Sequence, residues 1–215
     1  MRPVRHMRRE SYDLRGLDRA GDESAQLAGM STLRRKAMPV LAAIAALAQP
    51  TVAAPLLADG GYGIWLEDGQ GARIRIGALE VGAGAYRLSM NDAPFTDQFL
   101  SMRPFKCLEG PDKMWCHVPY PYPNRHDLNA GPTDLEYDLL FVWKGKGDYG
   151  IDMWNGLYYA LARDGSGLTG AVHEMNMDML AVPPVAGDLR PIAPGDLHQA
   201  DPDSHWLPVL RVLPD

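Results

Sequence analysis

Past residue 60 the chain alternates apolar and polar positions with period two, and almost nowhere with the 3.6 of a helix. "YGIWLED" at 62–68 and "RIRIGALEV" at 73–81 read as strands joined by the turn "GQGA". "GAYRLSM" at 84–90, "DQFLSMRPFKC" at 97–107 and "KMWCHV" at 113–118 continue the pattern. A proline-rich loop follows, and then "DLEYDLLFVWK" at 134–144 resumes it, with Asp134, Glu136 and Asp138 on one face. Leu135, Tyr137, Leu139, Phe141 and Trp143 take the other. That acidic face reads as solvated, because like charges at this spacing repel; a cation-binding face is the alternative. "GKGD" at 145–148 and "DGSG" at 164–167 turn the chain into and out of "YGIDMWNGLYYALAR". "LTGAVHEMNMDML" at 168–180 and "HWLPVLRVL" at 205–213 complete the set.

Eight or nine strands with short turns leave no room for crossover helices, so neighbours are antiparallel. An all-β meander hides its edges by closing or by doubling. The expected fold is an antiparallel meander closing as a small 8–9-stranded barrel, with a sandwich as the alternative. In architecture alone such a barrel is similar to the lipocalin-like barrels, whose sequence motif the chain lacks.

The first 53 residues differ in kind. Arg34, Arg35 and Lys36 precede the apolar run "AMPVLAAIAALA", and small residues at Thr51 and Ala53 suit a cut before Ala54. Basic, apolar and small-residue regions in that order make a secretory signal peptide over 30–53. Its apolar run is well short of the roughly 20 residues that span a bilayer. Residues 1–29 are polar and Arg-rich, as in a disordered segment or a start codon set too far upstream. Residues 54–215 are then expected as a single all-β domain, exported to a bacterial periplasm or the exterior, with no membrane anchor after cleavage.

The leader changes the charge. Residues 1–54 hold nine Lys and Arg against five Asp and Glu, net +4, so the remainder carries −10 of the overall −6. Such acidity argues against nucleic acid and anionic membrane surfaces. A small molecule or a protein is the expected partner, and no cofactor is expected. The two cysteines, Cys107 and Cys116, flank "GPD" turn chemistry and are expected as a disulfide across a hairpin.

Four segments hold chemistry. "HVPYPYPNRHDLNAGPTD" at 117–134 places His117, Tyr120, Tyr122, Arg125, His126 and Asp127 on a backbone stiffened by four prolines. Tyr120, Tyr122, Arg125 and His126 are candidate ligand-binding residues; His126, Asp127 and Tyr120 are candidate acid–base residues. "HEMNMDML" at 173–180 reads as a half-buried strand with His173, Met175, Met177 and Met179 inward and Glu174, Asn176 and Asp178 outward. Thioether and imidazole also suit Cu(I), so His173, Met175 and Met177 form an alternative metal face. Same-face side chains about 7 Å apart let one ion engage two of them at most. Asp196, His198, Asp201, Asp203 and His205 match no metal spacing and read as a polar loop.

The chain lacks the zinc-protease HExxH, since position 177 is Met, and it lacks a phosphate loop and a G-x-S-x-G elbow. The resulting expectation is an exported binder of a small apolar or aromatic molecule, or of a protein partner. An enzyme using the 117–134 loop and a Cu(I)-handling protein are the alternatives.

Overall fold

A computed structural model describes residues 54–99 and 104–215. The leader expected over 30–53 and the segment 1–29 lie outside them. Among the described residues eleven strands form one antiparallel sheet. They are β1 (Gly60–Glu67), β2 (Arg73–Gly82), β3 (Ala85–Met90), β4 (Thr96–Phe99), β5 (Pro104–Glu109) and β6 (Lys113–His117). A short helix α1 (Thr133–Asp138) follows, then β7 (Phe141–Gly145), β8 (Gly156–Asp164), β9 (Gly167–Met175), β10 (His198–Gln199) and β11 (Val209–Pro214).

Two meanders, β1–β3 and β4–β9, are joined by the last strand: β11 pairs β1 on one side and β9 on the other. The spatial order is β3-β2-β1-β11-β9-β8-β7-β6-β5-β4, with β10 extending along β9. β3 and β4 therefore stand at opposite ends of the sheet, yet only residues 91–95 connect them. So short a link reaches about 20 Å at most, which forces the sheet to curl. The result is an open half-barrel whose two edges are unpaired with each other among the described residues.

Alternation breaks once inside β2, where Ile74 and Ile76 give way to Leu79 and Val81. The register slips there: Ile64 faces Gly77 while Trp65 faces Arg75, leaving Ile76 as the extra residue of a bulge. The bulge returns the apolar set to the inner face. That face is filled by Ile64, Leu66, Leu79, Trp115, Phe141 and Tyr159, all essentially buried. A second apolar cluster lies on the other face of β5–β9, with Cys107, Met114, Cys116, Tyr137, Tyr158, Met175 and Met177 beneath the 118–122 and 177–192 segments.

Cys107 and Cys116 are cross-strand partners in the β5–β6 register and form the disulfide. Their Cα atoms are 3.9 Å apart, closer than the usual span of about 4.4–6.8 Å.

The open sheet replaces the closed 8–9-stranded barrel expected from the sequence, and four segments also depart from their expected form. The stretch 97–107 is two strands, with Phe99 opposite Pro104. The strand expected from 149 begins at Gly156, after a 3₁₀ turn over Met153–Asn155. "HEMNMDML" leaves the sheet after Met175, because the Asn176 side chain accepts the Asp178 N–H (2.9 Å) and starts a 3₁₀ helix over Met177–Leu180. Met175 and Met177 are both buried, at 1% exposure, so the core reading of their faces holds. Glu174, expected to stand free in water, instead lies 2.8 Å from Nε2 of His205, whose side chain is fully buried.

The fourth change is the largest. Residues 133–138 are helical, and Asp134 and Glu136 are buried, as is most of the Asp138 carboxylate. Leu135 and Leu139, one helical turn apart, enter the inner core, and Tyr137 enters the outer cluster. The acids are not a solvated face, because each has fixed partners. Glu136 accepts Leu161 N–H (2.6 Å) and the Tyr158 hydroxyl. β7 runs beside β8 only at Phe141 and Val142, so this carboxylate takes the place of a missing strand along β8.

Candidate functional site

The loop 117–134 folds back over the free edge of β3. Tyr86 N–H donates to His126 O (3.0 Å) and Leu128 N–H to Gly84 O (2.7 Å), making a one-residue antiparallel bridge between Ala85 and Asp127. Gly84 permits this closure: its φ is +79°, and a Cβ there would strike the Asn129 side chain. His126 is itself left-handed, with φ 54°, and turns the chain onto the edge immediately before the bridge at Asp127.

Beyond that point lies an open cleft of about 420 Å³, lined by Tyr86, Arg87, Leu88, His117, Pro119, His126 and Asp138. Asp138 organises it from the end of α1. Its carboxylate accepts Tyr86 OH (2.6 Å) and Asn124 Nδ2 (2.8 Å), and His126 Nε2 lies 3.4 Å away. Burial raises the Asp138 carboxyl above its ordinary value, against the lowering effect of these donors. Burial likewise raises the Tyr86 phenol, and the Asp138 carboxylate adds to the shift. Tyr86 therefore stays protonated and donates to Asp138.

His117 is held from the other side. Its Nε2 sits 2.8 Å from the Asp138 backbone carbonyl. Burial depresses its pKa, so the ring is neutral at physiological pH. A carbonyl only accepts, so Nε2 carries the hydrogen and Nδ1 is left as a lone-pair acceptor. The His126 ring meets Tyr86 edge-on at 5.2 Å between centroids. The site thus offers a fixed acceptor at His117, an exposed imidazole at His126 and the exposed guanidinium of Arg87. No known protein family, curated protein or solved structure matches this chain.

The structure separates the sequence candidates. His117 and His126 share the cleft. Asp127 does not pair with His126; it accepts the Asn129 N–H and amide and gives its own N–H to Asp134, while Asp138 takes the place beside His126. Tyr120 and Tyr122 pack in the outer cluster with hydroxyls on the carbonyls of Leu189 and Leu180, and Tyr120 meets Tyr137 edge-on at 4.7 Å. Arg125 is exposed, outside the cleft lining. His173 lies on β9 with Nδ1 near Ala171 O, while Met175 and Met177 are closed into the outer cluster. Among the described residues, no three His, Cys, Asp or Glu side chains converge as metal ligands.

Tyr86 and Arg87 escaped sequence reasoning, and Asp138 was read there only as part of an acidic face, solvated or cation-binding. Tyr86 reaches Asp138 from 52 positions away, and no local pattern marks that distance. For Asp138 a signal existed, since an acid four residues after Asp134 suits one helical turn as well as a strand.

Proposed function

We propose that this chain is an exported binding protein and that its ligand site is the cleft between β3 and the end of β6. The observation that carries this is a pre-arranged set of polar groups around an open volume of about 420 Å³. Pockets for small ligands run from about 300 to 1,000 Å³ with a few convergent polar groups. The inner face of the half-barrel is packed with side chains, which directs the reading to the cleft and away from a lumen. Among the described residues no helix is long and apolar enough to cross a membrane, and the basic–apolar–small leader at 30–53 supports export.

Ligands suited to the cleft combine an aromatic or apolar body, set on Tyr86 and Pro119, with a group that hydrogen-bonds His117 and Arg87. Native mass spectrometry of protein taken from its own source tests this, with N-terminal sequencing of the same material. The expected result is a retained small molecule or peptide that His117→Ala releases, on a chain beginning near Ala54. A chain that retains residues 1–29, or cleft resonances that respond to no added ligand, would overturn it.

A second reading, acid–base catalysis, is favoured by one observation: His126 Nε2 lies 3.4 Å from a carboxylate that Tyr86 and Asn124 hold in place. Asp138 would orient the imidazole and His126 would exchange the proton. Turnover lost in His126→Gln and in Asp138→Asn, with ligand affinity kept, would select this reading over simple binding.

A further inference from the structure

The free edge of β3 gives the cleft a more definite partner. In the β2–β3 ladder Asn91 N–H donates to Ile76 O, and the register continues with Ser89 opposite Ala78 and Arg87 opposite Glu80. Antiparallel bonding alternates along a strand, so the odd-numbered residues bond β2, and Tyr86, Leu88 and Met90 turn their N–H and C=O groups away. The donation of Tyr86 N–H to His126 O fits that parity. The loop meets the edge only from His126 onward. Among the described residues Leu88 N–H and C=O meet no backbone partner, and the edge they form opens into the cleft.

The free charge there is positive. Asp138 is engaged by Tyr86 and Asn124, with His126 beside it, and Lys106 is engaged by Asp92 and Asp97. Arg87 has no ion pair among the described residues, and Glu80 faces it across the ladder without forming one. A second depression of about 170 Å³ shares His117 and Pro119 with the cleft and prolongs it toward β5. An elongated ligand fits this run better than a compact one.

We propose that the cleft takes an extended peptide, added as an extra antiparallel strand on β3 where the Ala85–Asp127 bridge ends, with a carboxylate set against Arg87. Main-chain bonds to Leu88 would supply affinity, and Arg87 would select the acidic group. This rests on the cleft being the binding site.

The test is selection from a display library of random linear decapeptides, with benzoate as a small carboxylate control. Leu88→Pro removes the outward N–H without touching the β2 ladder, a position where an edge strand tolerates proline. Arg87→Glu reverses the exposed charge and serves if Leu88→Pro fails to fold. Selected peptides should carry a carboxylate and slow amide exchange at Leu88 by about tenfold or more. They should weaken about five- to tenfold on Leu88→Pro, as loss of one main-chain bond implies, and weaken on Arg87→Glu. A selection that returns no peptide preferring the unmodified protein, or peptides that leave Leu88 exchange unchanged, overturns the proposal. Benzoate that shifts His117 and His126 resonances when peptides do not leaves the cleft reading standing and removes the peptide. Silence from both removes both.

Discussion

Replacing Glu136 with alanine removes an acceptor from two donors at once, the Leu161 N–H at 2.6 Å and the Tyr158 hydroxyl. Both donors lie in buried residues on β8, which is paired with β9 on one side and has no strand alongside them on the α1 side to substitute. A buried donor left unsatisfied costs about 1–3 kcal/mol. Some of the combined loss is offset because a buried carboxylate no longer has to be desolvated. The expected net is about 2–4 kcal/mol, or a fall in melting temperature of roughly 5–15 °C for a domain of this size. Glu136→Gln keeps an acceptor for Leu161 and should stay within about 1 kcal/mol of the parent. The pair also differ in pH dependence. Burial raises the Glu136 carboxyl above its ordinary value of 4.5, against the Tyr158 and Leu161 hydrogen bonds. The folded chain therefore holds this proton to higher pH than the unfolded chain. Its contribution is fully present below pH 4.5 and is lost as pH rises through the raised value. Glutamine has no such loss, so Glu136→Gln should gain on the parent between about pH 4.5 and neutrality. Urea melts of the three proteins at both ends of that window decide the matter. A Glu136→Ala protein within about half a kcal/mol of the parent at both would show a solvated acid, and the structural role assigned to Glu136 would fall.

Other outcomes follow from the same packing. Met177 sits over Gly156, where even a Cβ would come within 2.4 Å of its Cγ, and it borders an apolar hollow of about 120 Å³ with Leu140 and Leu180. Met177→Ala should cost about 2–5 kcal/mol in a denaturant melt, whereas a near-neutral change coupled to lost Cu(I) affinity would restore the metal face. Glu174→Ala strips a partner from the buried His205 and should cost about 1–3 kcal/mol; a change too small to measure would show that His205 does not need it. Reduction of Cys107–Cys116 should cost about 2–3 kcal/mol for so short a loop, and thiol labelling of the native protein should find neither cysteine free.

The strands were legible because apolar alternation is local and the sheet needs it on one face: β1, β2, β3, β6 and β9 begin or end close to where the pattern does. The helix was not. "DLEYD" has the same letters whether its acids face water or face Arg190, Leu161 and Tyr86, and those partners lie 25 to 56 positions away. Period two in six residues signals a strand only when polar means exposed, and here it does not. Met175 and Met177 were placed in the core correctly, but Met177 arrives by a turn at Asn176, whose capping chemistry sat in plain view in the sequence. The 117–134 loop was recognisable as the place to look, from its prolines and rings. Its working geometry was not, because Tyr86 and Asp138 come from elements that sequence proximity does not join.

The position of β11 bears on how the molecule assembles. Among the described residues Val209–Pro214 is the only strand that touches both meanders, and its bonds to β1 span nearly the whole described chain, with Tyr62 opposite Pro214. A chain emerging residue by residue has both β1 and β9 waiting as open templates until Val209–Pro214 arrives. Pairing across such a sequence distance is slow, because loop closure precedes the contacts that reward it. That interval is when the unpaired edges of β1 and β9 are open to the same strand of a second chain.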